Sequence, residues 1–252
     1  MVENHGWLSY NELAWVEPLV SPPGDCREEA VTYCRLVQEH ARIPVKTMLH
    51  LACGAGILDY TFKTHFGVTG VDISPGMLEV ARKLNPEVEY HLGDMRCIEL
   101  GRSFDTVAIP DAIGYMTSEK DLRAALRAAH RHLKVGGVLL LVLHTKEEFK
   151  ENNFVYTGAG EDTSITVFEN NHLPDPQGNT YEATMIYLIR RGGQLELATD
   201  CHTIGLFPRK TWMDLMAELG MEVAEARLDH LYDASLLGGG EYPLTVLACI
   251  KS

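Results

Sequence analysis

The chain has 252 residues, with 35 aspartates and glutamates against 22 lysines and arginines and a formal net charge of −13. A surface that negative repels phosphate backbones and anionic lipid, so neither a nucleic acid nor a membrane is expected as a partner. Hydrophobic residues make up 46% and charged residues 23%, the balance of a globular protein, which excludes a disordered tail, a collagen or a disulfide miniprotein. Cys26, Cys34, Cys53, Cys97, Cys201 and Cys249 form no C-x-x-C pair or zinc-ligand spacing, so they read as reduced thiols and no metal is expected. The start, Met1 to Gly6, lacks the basic-then-apolar pattern of a secretory leader. The longest apolar stretch, Val138 to Leu143, is far short of the roughly 20 residues that span a bilayer. Together these features predict a cytoplasmic protein.

In chain order, Asn11 to Arg42 reads as helical, interrupted at Ser21-Pro22-Pro23-Gly24, with Gly24 or Asp25 as cap of the second helix. Val45 to Leu51 is a predicted strand, Ile57 to His65 a helix and Val68 to Ile73 a second strand. Ser74-Pro75 then opens a helix, serine as cap and proline at its first position. Val88 to Leu92, Phe104 to Ile109 and Val138 to His144 are further strands. Between the last two, Leu122, Ala125, Leu126, Ala129 and Leu133 recur at helical spacing. Apolar strands alternating with helices predict a parallel sheet covered on both faces. Ile165 to Asn170, Thr180 to Arg190 and Gln194 to Leu206 read instead as consecutive strands joined by turns, an antiparallel lid. A helix from Pro208 to Leu219 and two strands, near Val223 to Leu228 and Leu244 to Ile250, complete the chain.

The first strand ends in Leu51-Ala52-Cys53-Gly54-Ala55-Gly56 and runs into a helix. Glycines there let a ligand approach the backbone, and the helix start offers free N–H groups. Alone, the pair is also what a tight strand-to-helix turn requires. Asp72 ends the second strand, where a carboxylate at an exposed rim can accept from both hydroxyls of a ribose. Gly93-Asp94-Met95 follows the third strand on the same rim. A dinucleotide fingerprint needs glycine three residues after Gly56, but Asp59 stands there, so a nucleoside ligand without phosphates fits better.

In this order the motifs resemble those of class I S-adenosylmethionine-dependent methyltransferases. Met48 to Gly56 is similar to their first motif, Val68 to Ser74 with Met77, Leu78 and Ala81 to the next, and Gly93-Asp94-Met95-Arg96 to the adenine-binding motif. Phe104-Asp105-Thr106-Val107, leading into Asp111 to Met116, resembles the segment over the transferring methyl. The antiparallel insertion and Gly205-Leu206-Phe207 before a helix resemble the small-molecule branch of aminosugar and glycine N-methyltransferases. The resemblance implies an α/β fold, a Rossmann-like seven-stranded sheet with helices on both faces plus an antiparallel β lid insertion. Residues 1–44 would form a helical cap, 45–150 the cofactor-binding core, 151–206 the lid, and 207–252 the last helix and strands of the core. The cofactor would be S-adenosyl-L-methionine, its product S-adenosyl-L-homocysteine. Ala52, Gly54 and Gly56 would pass under the methionine moiety, Asp72 hold the ribose, Ile73 pack on adenine, and Asp94 and Met95 bond the adenine edge. Tyr10 and Trp15 lie in a segment expected to fold over the cofactor. His50 stands where the family usually has an acid, and Ala52 where it usually has glycine.

For the acceptor, Asp111 and Tyr115 follow the fourth strand and His144 ends the fifth, near where the methyl should point. A base is needed where the nucleophile arrives protonated, and these three are the candidates. Their plainer readings are a turn cap for Asp111, packing for Tyr115 and a hydrogen-bonded strand end for His144. His202 lies in the lid and reads equally as facing water. The function expected is methylation of a small soluble metabolite, preferably at nitrogen, by a monomer or homodimer. Transfer to a hydroxyl or carboxylate oxygen is the alternative, and a non-catalytic adenosyl-binding protein the second.

Overall fold

The apolar runs pair into one sheet in the computed structural model, which describes residues 6–252. Residues 1–5, which carry most of the reading against a leader, lie outside the described residues. Strands β1 (Thr47–Leu51), β2 (Gly67–Asp72), β3 (Glu89–Leu92), β4 (Phe104–Ile109) and β5 (Leu133–Leu143) are parallel. Four further strands, β6 (Asn152–Ala159), β7 (Thr163–His172), β8 (Thr180–Arg191) and β9 (Gln194–Gly205), form a separate antiparallel meander. The chain then returns to the first sheet as β10 (Met221–Leu228) and β11 (Leu244–Lys251), β11 running antiparallel to β5. The order is β10-β11-β5-β4-β1-β2-β3, so the chain reverses direction across the sheet between β1 and β4. In such sheets ligands bind at the carboxyl ends of the strands beside that reversal.

Period-two alternation sends residues of each strand to two cores. Leu49, Val107, Leu139 and Leu141 pack with helices α5 (Glu119–His132) and α6 (Arg209–Glu218), the latter through Trp212 and Met216. Met48, Ala108, Val138 and Leu140 face α2 (Arg27–His40) and α4 (Pro75–Leu84) through Tyr33, Val37 and Leu78. Ser74 caps α4 as the sequence predicts, its hydroxyl accepting from the Met77 N–H, with Pro75 in the first turn.

Three local expectations fail. The N-terminal stretch is not one interrupted helix: two 3₁₀ turns, Leu8–Tyr10 and Ala14–Val16, and the single turn α1 (Glu17–Val20) precede α2. Neither Gly24 nor Asp25 caps α2; Cys26 holds that position without a side-chain bond. The helix predicted from Ile57 shrinks to α3 (Asp59–Phe62), because the bonds that follow it, Thr64 to Thr61 and His65 to Phe62, are i to i−3. Strand β6 has no counterpart among the predicted strands; Asn152, Asn153 and Gly158 give it the composition of a loop.

The meander covers the carboxyl edge of the sheet. Its inner face, Ile165, Val167, Tyr187 and Ile189, packs on Leu13 and Val16. The backbone of Leu19 lies so close to Gly158 that a Cβ there would collide with it. At the base of the insertion the Lys146 N–H donates to the Phe207 carbonyl, bringing its two ends together.

Candidate active site

A cavity of about 650 Å³ lies between the ends of β1 to β4, the 3₁₀ turns before α1 and the inner face of the meander. Its floor is the loop after β1. Ala52, Gly54 and Gly56 hold φ of 53°, 54° and 71°, the left-handed region. A Cβ at Gly54 would meet no protein atom within 4 Å, and Gly54 lines the cavity. Gly56 does not line it; a Cβ there would strike the Tyr90 hydroxyl and the Asn85 amide. Its carbonyl accepts from Asn85 Nδ2 at 2.8 Å. Gly56 is thus required for packing under the loop.

The same packing explains His50. The Tyr90 hydroxyl donates to Asp59 Oδ2 at 2.9 Å, and His50 Nδ1 lies 2.7 Å from Asp59 Oδ1. Asp59 is fully buried and, as a carboxylate, accepts both bonds, so Nδ1 of His50 carries the hydrogen. His50 is 2% exposed and borders the cavity from beneath the loop.

Asp72 is buried, not on an exposed rim as expected, with 8% of its surface accessible. Its Oδ2 accepts from the Gly54 N–H and its Oδ1 from the Ser74 N–H, both at 2.8 Å. Burial raises its carboxyl above the usual range, against the pull of these two bonds and of His50. The side chain therefore fixes the glycine loop and also faces the cavity. Ile73 and the buried Met95 line the same end. Asp94 lines it too, holding Arg96 in an ion pair with Nη2 at 2.6 Å and Nε at 2.9 Å.

At the other end stands Asp111, with φ 59° and ψ −32°, a conformation that L side chains rarely adopt. It occupies the cap position of the 3₁₀ turn Ala112–Tyr115 yet makes no side-chain cap bond, so capping does not explain it. Asp111 lines the cavity, and the protein around it raises its pKa by desolvation, partly offset by His144. His144 itself does not line the cavity. Its Nε2 is 2.6 Å from the Tyr242 hydroxyl, and burial lowers its pKa against the pull of Asp111 and Glu148.

Tyr115 and Tyr10 meet at the roof. Their hydroxyls are 2.5 Å apart, and Tyr115 Oη is 2.7 Å from Nδ1 of His202. His202 Nε2 lies 2.9 Å from Asp200 Oδ2, which also accepts from the Ser9 N–H. The carboxylate requires Nε2 to donate; with a neutral ring Nδ1 then accepts from Tyr115, and Tyr115 accepts from Tyr10. These bonds hold Asp200 below the usual carboxylate range despite the upward pull of burial. His202 does not face water; it is 1% exposed. The chain ties the N-terminal segment, the turn after β4 and strand β9 into one wall. Glu17, Glu169 and Tyr181 also line the cavity and have no place among the residues expected from sequence. Glu169 and Tyr181 stand in predicted strands, where alternation could have placed them inward only once the inner face was known.

Residues 48–137 match the methyltransferase domain family. The chain is 29% identical over 204 residues to a dTDP-3-amino-3,6-dideoxy-alpha-D-glucopyranose N,N-dimethyltransferase of Streptomyces fradiae, covering 79% of this chain and 78% of that one. It is 29% identical over 203 residues to a dTDP-3-amino-3,4,6-trideoxy-alpha-D-glucopyranose N,N-dimethyltransferase of Streptomyces venezuelae, covering 79% and 84%. Among solved structures, the S-adenosylmethionine-bound amino pentose methyltransferase of Micromonospora echinaspora is 26% identical, with a TM-score of 0.71 over 88% of this chain and 90% of that one. Streptomyces venezuelae DesVI, at 23% identity, shares the fold with a TM-score of 0.77 over 96% of each chain. The order of the strands, the glycine loop beside Asp72 and these likenesses agree: the chain carries a methyltransferase domain over residues 48–137 and is similar to the class I S-adenosylmethionine-dependent methyltransferases.

Proposed function

We propose that the protein methylates the nitrogen of a small soluble amine. The observation that carries the reading is Asp111, a residue on the cavity wall in a strained backbone conformation, with neither a cap bond nor a salt bridge among the described residues. Strain of this kind persists where the surrounding structure imposes it, and it collects at functional sites. The names of the relatives, N,N-dimethyltransferases of amino sugars, support nitrogen as the acceptor atom.

The residues present fit the cofactor. Gly54 leaves open the space a Cβ would fill, the Asp72 carboxylate faces the cavity beside it, and Ile73 and Met95 offer apolar walls. In this reading Ala52 and Gly54 underlie the methionine portion, Asp72 holds the ribose, and Asp94 and Met95 meet the adenine edge. Tyr10 closes over them. When bound, the cofactor supplies an electrophilic methyl on a sulfonium, and the protein's task is to orient and desolvate.

Asp111 attracts the ammonium form of the acceptor and takes one proton from it, which frees the lone pair that forms the new N–C bond as the S–C bond breaks. The raised pKa of Asp111 suits a proton acceptor. Tyr115, fixed by His202 and Tyr10, orients the nitrogen, and the meander excludes water. The net products are the methylated ammonium, the thioether and one proton. The test is transfer of labelled methyl to amines by the purified chain, with Asp111→Asn and Tyr115→Phe in parallel. Each variant should lower turnover by about ten- to a thousandfold with the affinity for S-adenosylhomocysteine nearly unchanged. Turnover close to that of the unaltered protein in both discards this site, and a base-labile product moves the acceptor atom to oxygen.

A further inference from the structure

The acceptor end of the cavity gathers three carboxyl groups from three separate elements: Glu17 of α1, Asp111 after β4 and Glu169 of β7. No single turn or helix end accounts for their meeting. Among the described residues, Arg96 is the one arginine or lysine lining the cavity, and Asp94 and Asp121 already hold it beside β3. The nearby cations of the meander and its base are turned elsewhere. Lys146 donates to the Gly178 carbonyl, and Arg191 stacks on Trp15. Burial raises all three carboxyls above the usual range; what opposes it is His144 at Asp111 and Asn171 and Tyr156 at Glu169, none a permanent cation. Such groups gain most from a ligand that brings the missing positive charge.

Resting on the reading of the cavity as an amine methylation site, we infer that the acceptor is a phosphate-free amine, bound as its cation among Glu17, Asp111 and Glu169, and not a nucleotide-linked sugar. The relatives in Streptomyces are named for dTDP-linked amino sugars. A diphosphate carried into this cavity would face carboxylates with no free arginine or lysine to receive it.

The experiment compares paired acceptors on the full-length chain with labelled S-adenosylmethionine. One set is free: the methyl glycoside of a 3-amino-3,6-dideoxyhexose, glucosamine and 1,4-diaminobutane. The other is the dTDP-linked 3-amino-3,6-dideoxyhexose. At least one free amine should show a kcat/KM tenfold or more above that of the dTDP-linked sugar. Calorimetry with dTDP on the protein loaded with S-adenosylhomocysteine should give no binding heat. Glu169→Gln and Glu17→Gln, each checked for an intact thermal transition, should raise KM for the preferred amine at least tenfold. Affinity for S-adenosylhomocysteine should stay unchanged in both. Preference for the dTDP-linked sugar, or saturable dTDP binding, overturns this inference while leaving nitrogen methylation standing. Unaltered KM in both variants overturns the assignment of the carboxyls. Transfer to no amine of either set removes the underlying reading, and the inference with it.

Discussion

Asp72→Ala removes more than a ligand contact. Two N–H groups, of Gly54 and Ser74, lose their acceptor; Ser74 is buried, while Gly54 lines the cavity, where water can replace its bond. Leaving a buried donor unsatisfied costs about 1–3 kcal/mol, so the Ser74 N–H should cost about that much stability. For a chain of this size each kcal/mol lowers Tm by about 2–4 °C, which predicts a fall of about 2–12 °C. The same carboxylate is assigned to the ribose, so affinity for S-adenosylhomocysteine should drop at least about tenfold, or about 1.4 kcal/mol. Asp72→Asn separates the two effects. Its remaining oxygen serves one N–H while its amide confronts the other, so its Tm should fall less than that of Asp72→Ala with a comparable loss of affinity. Differential scanning calorimetry gives the first quantity, and titration calorimetry well below both transitions gives the second. Lowered Tm with unchanged affinity in both variants would refute the ribose assignment, and unchanged Tm would refute the role of Asp72 in fixing the loop.

Ala52→Gly should raise stability. An L residue at φ 53° is strained by about 1–2 kcal/mol, and the added freedom of glycine in the unfolded chain returns about 0.5–1 kcal/mol of that. A rise in Tm of up to about 4 °C is expected, and a fall would show that the Ala52 methyl packs more than its strain costs. The second prediction concerns pH. Glu17, Glu169 and Asp111 have folded pKa values raised above their ordinary 4.5, 4.5 and 3.8, so the folded chain binds their protons more tightly than the unfolded chain. Their stabilising contribution is complete below those ordinary values and is lost as pH rises through the raised ones. Groups with lowered pKa, such as Asp105 at about 2, act in the opposite sense, so the effect is read as a difference. From about pH 4 upward, Tm of the ligand-free protein should fall relative to that of the double variant Glu17→Gln, Glu169→Gln. Parallel Tm profiles for the two proteins would contradict the raised pKa of Glu17 and Glu169.

The sequence by itself determined the alternating core, the glycine loop, Ser74 as a cap and the acids Asp72 and Asp94 on one edge of the sheet. These are local matters: apolar alternation selects strands, left-handed turns favour glycine, and a parallel sheet places every strand end on the same rim. Tertiary structure alone decided what each polar group does there. Gly56 serves the packing of Asn85 and Tyr90 because a helix and β3 close beneath the loop. Asp72 is buried because the loop folds back onto it. His144, which follows β5, is bonded to Tyr242, 98 residues away. Glu17 and Glu169 join the cavity, and His202 leaves water, only when the meander and the N-terminal segment meet over the sheet. Such contacts span up to 191 residues of chain, as between Ser9 and Asp200, and no local pattern encodes them. They follow from burying the apolar face of the meander, which leaves the polar side chains on that face to find partners or a ligand.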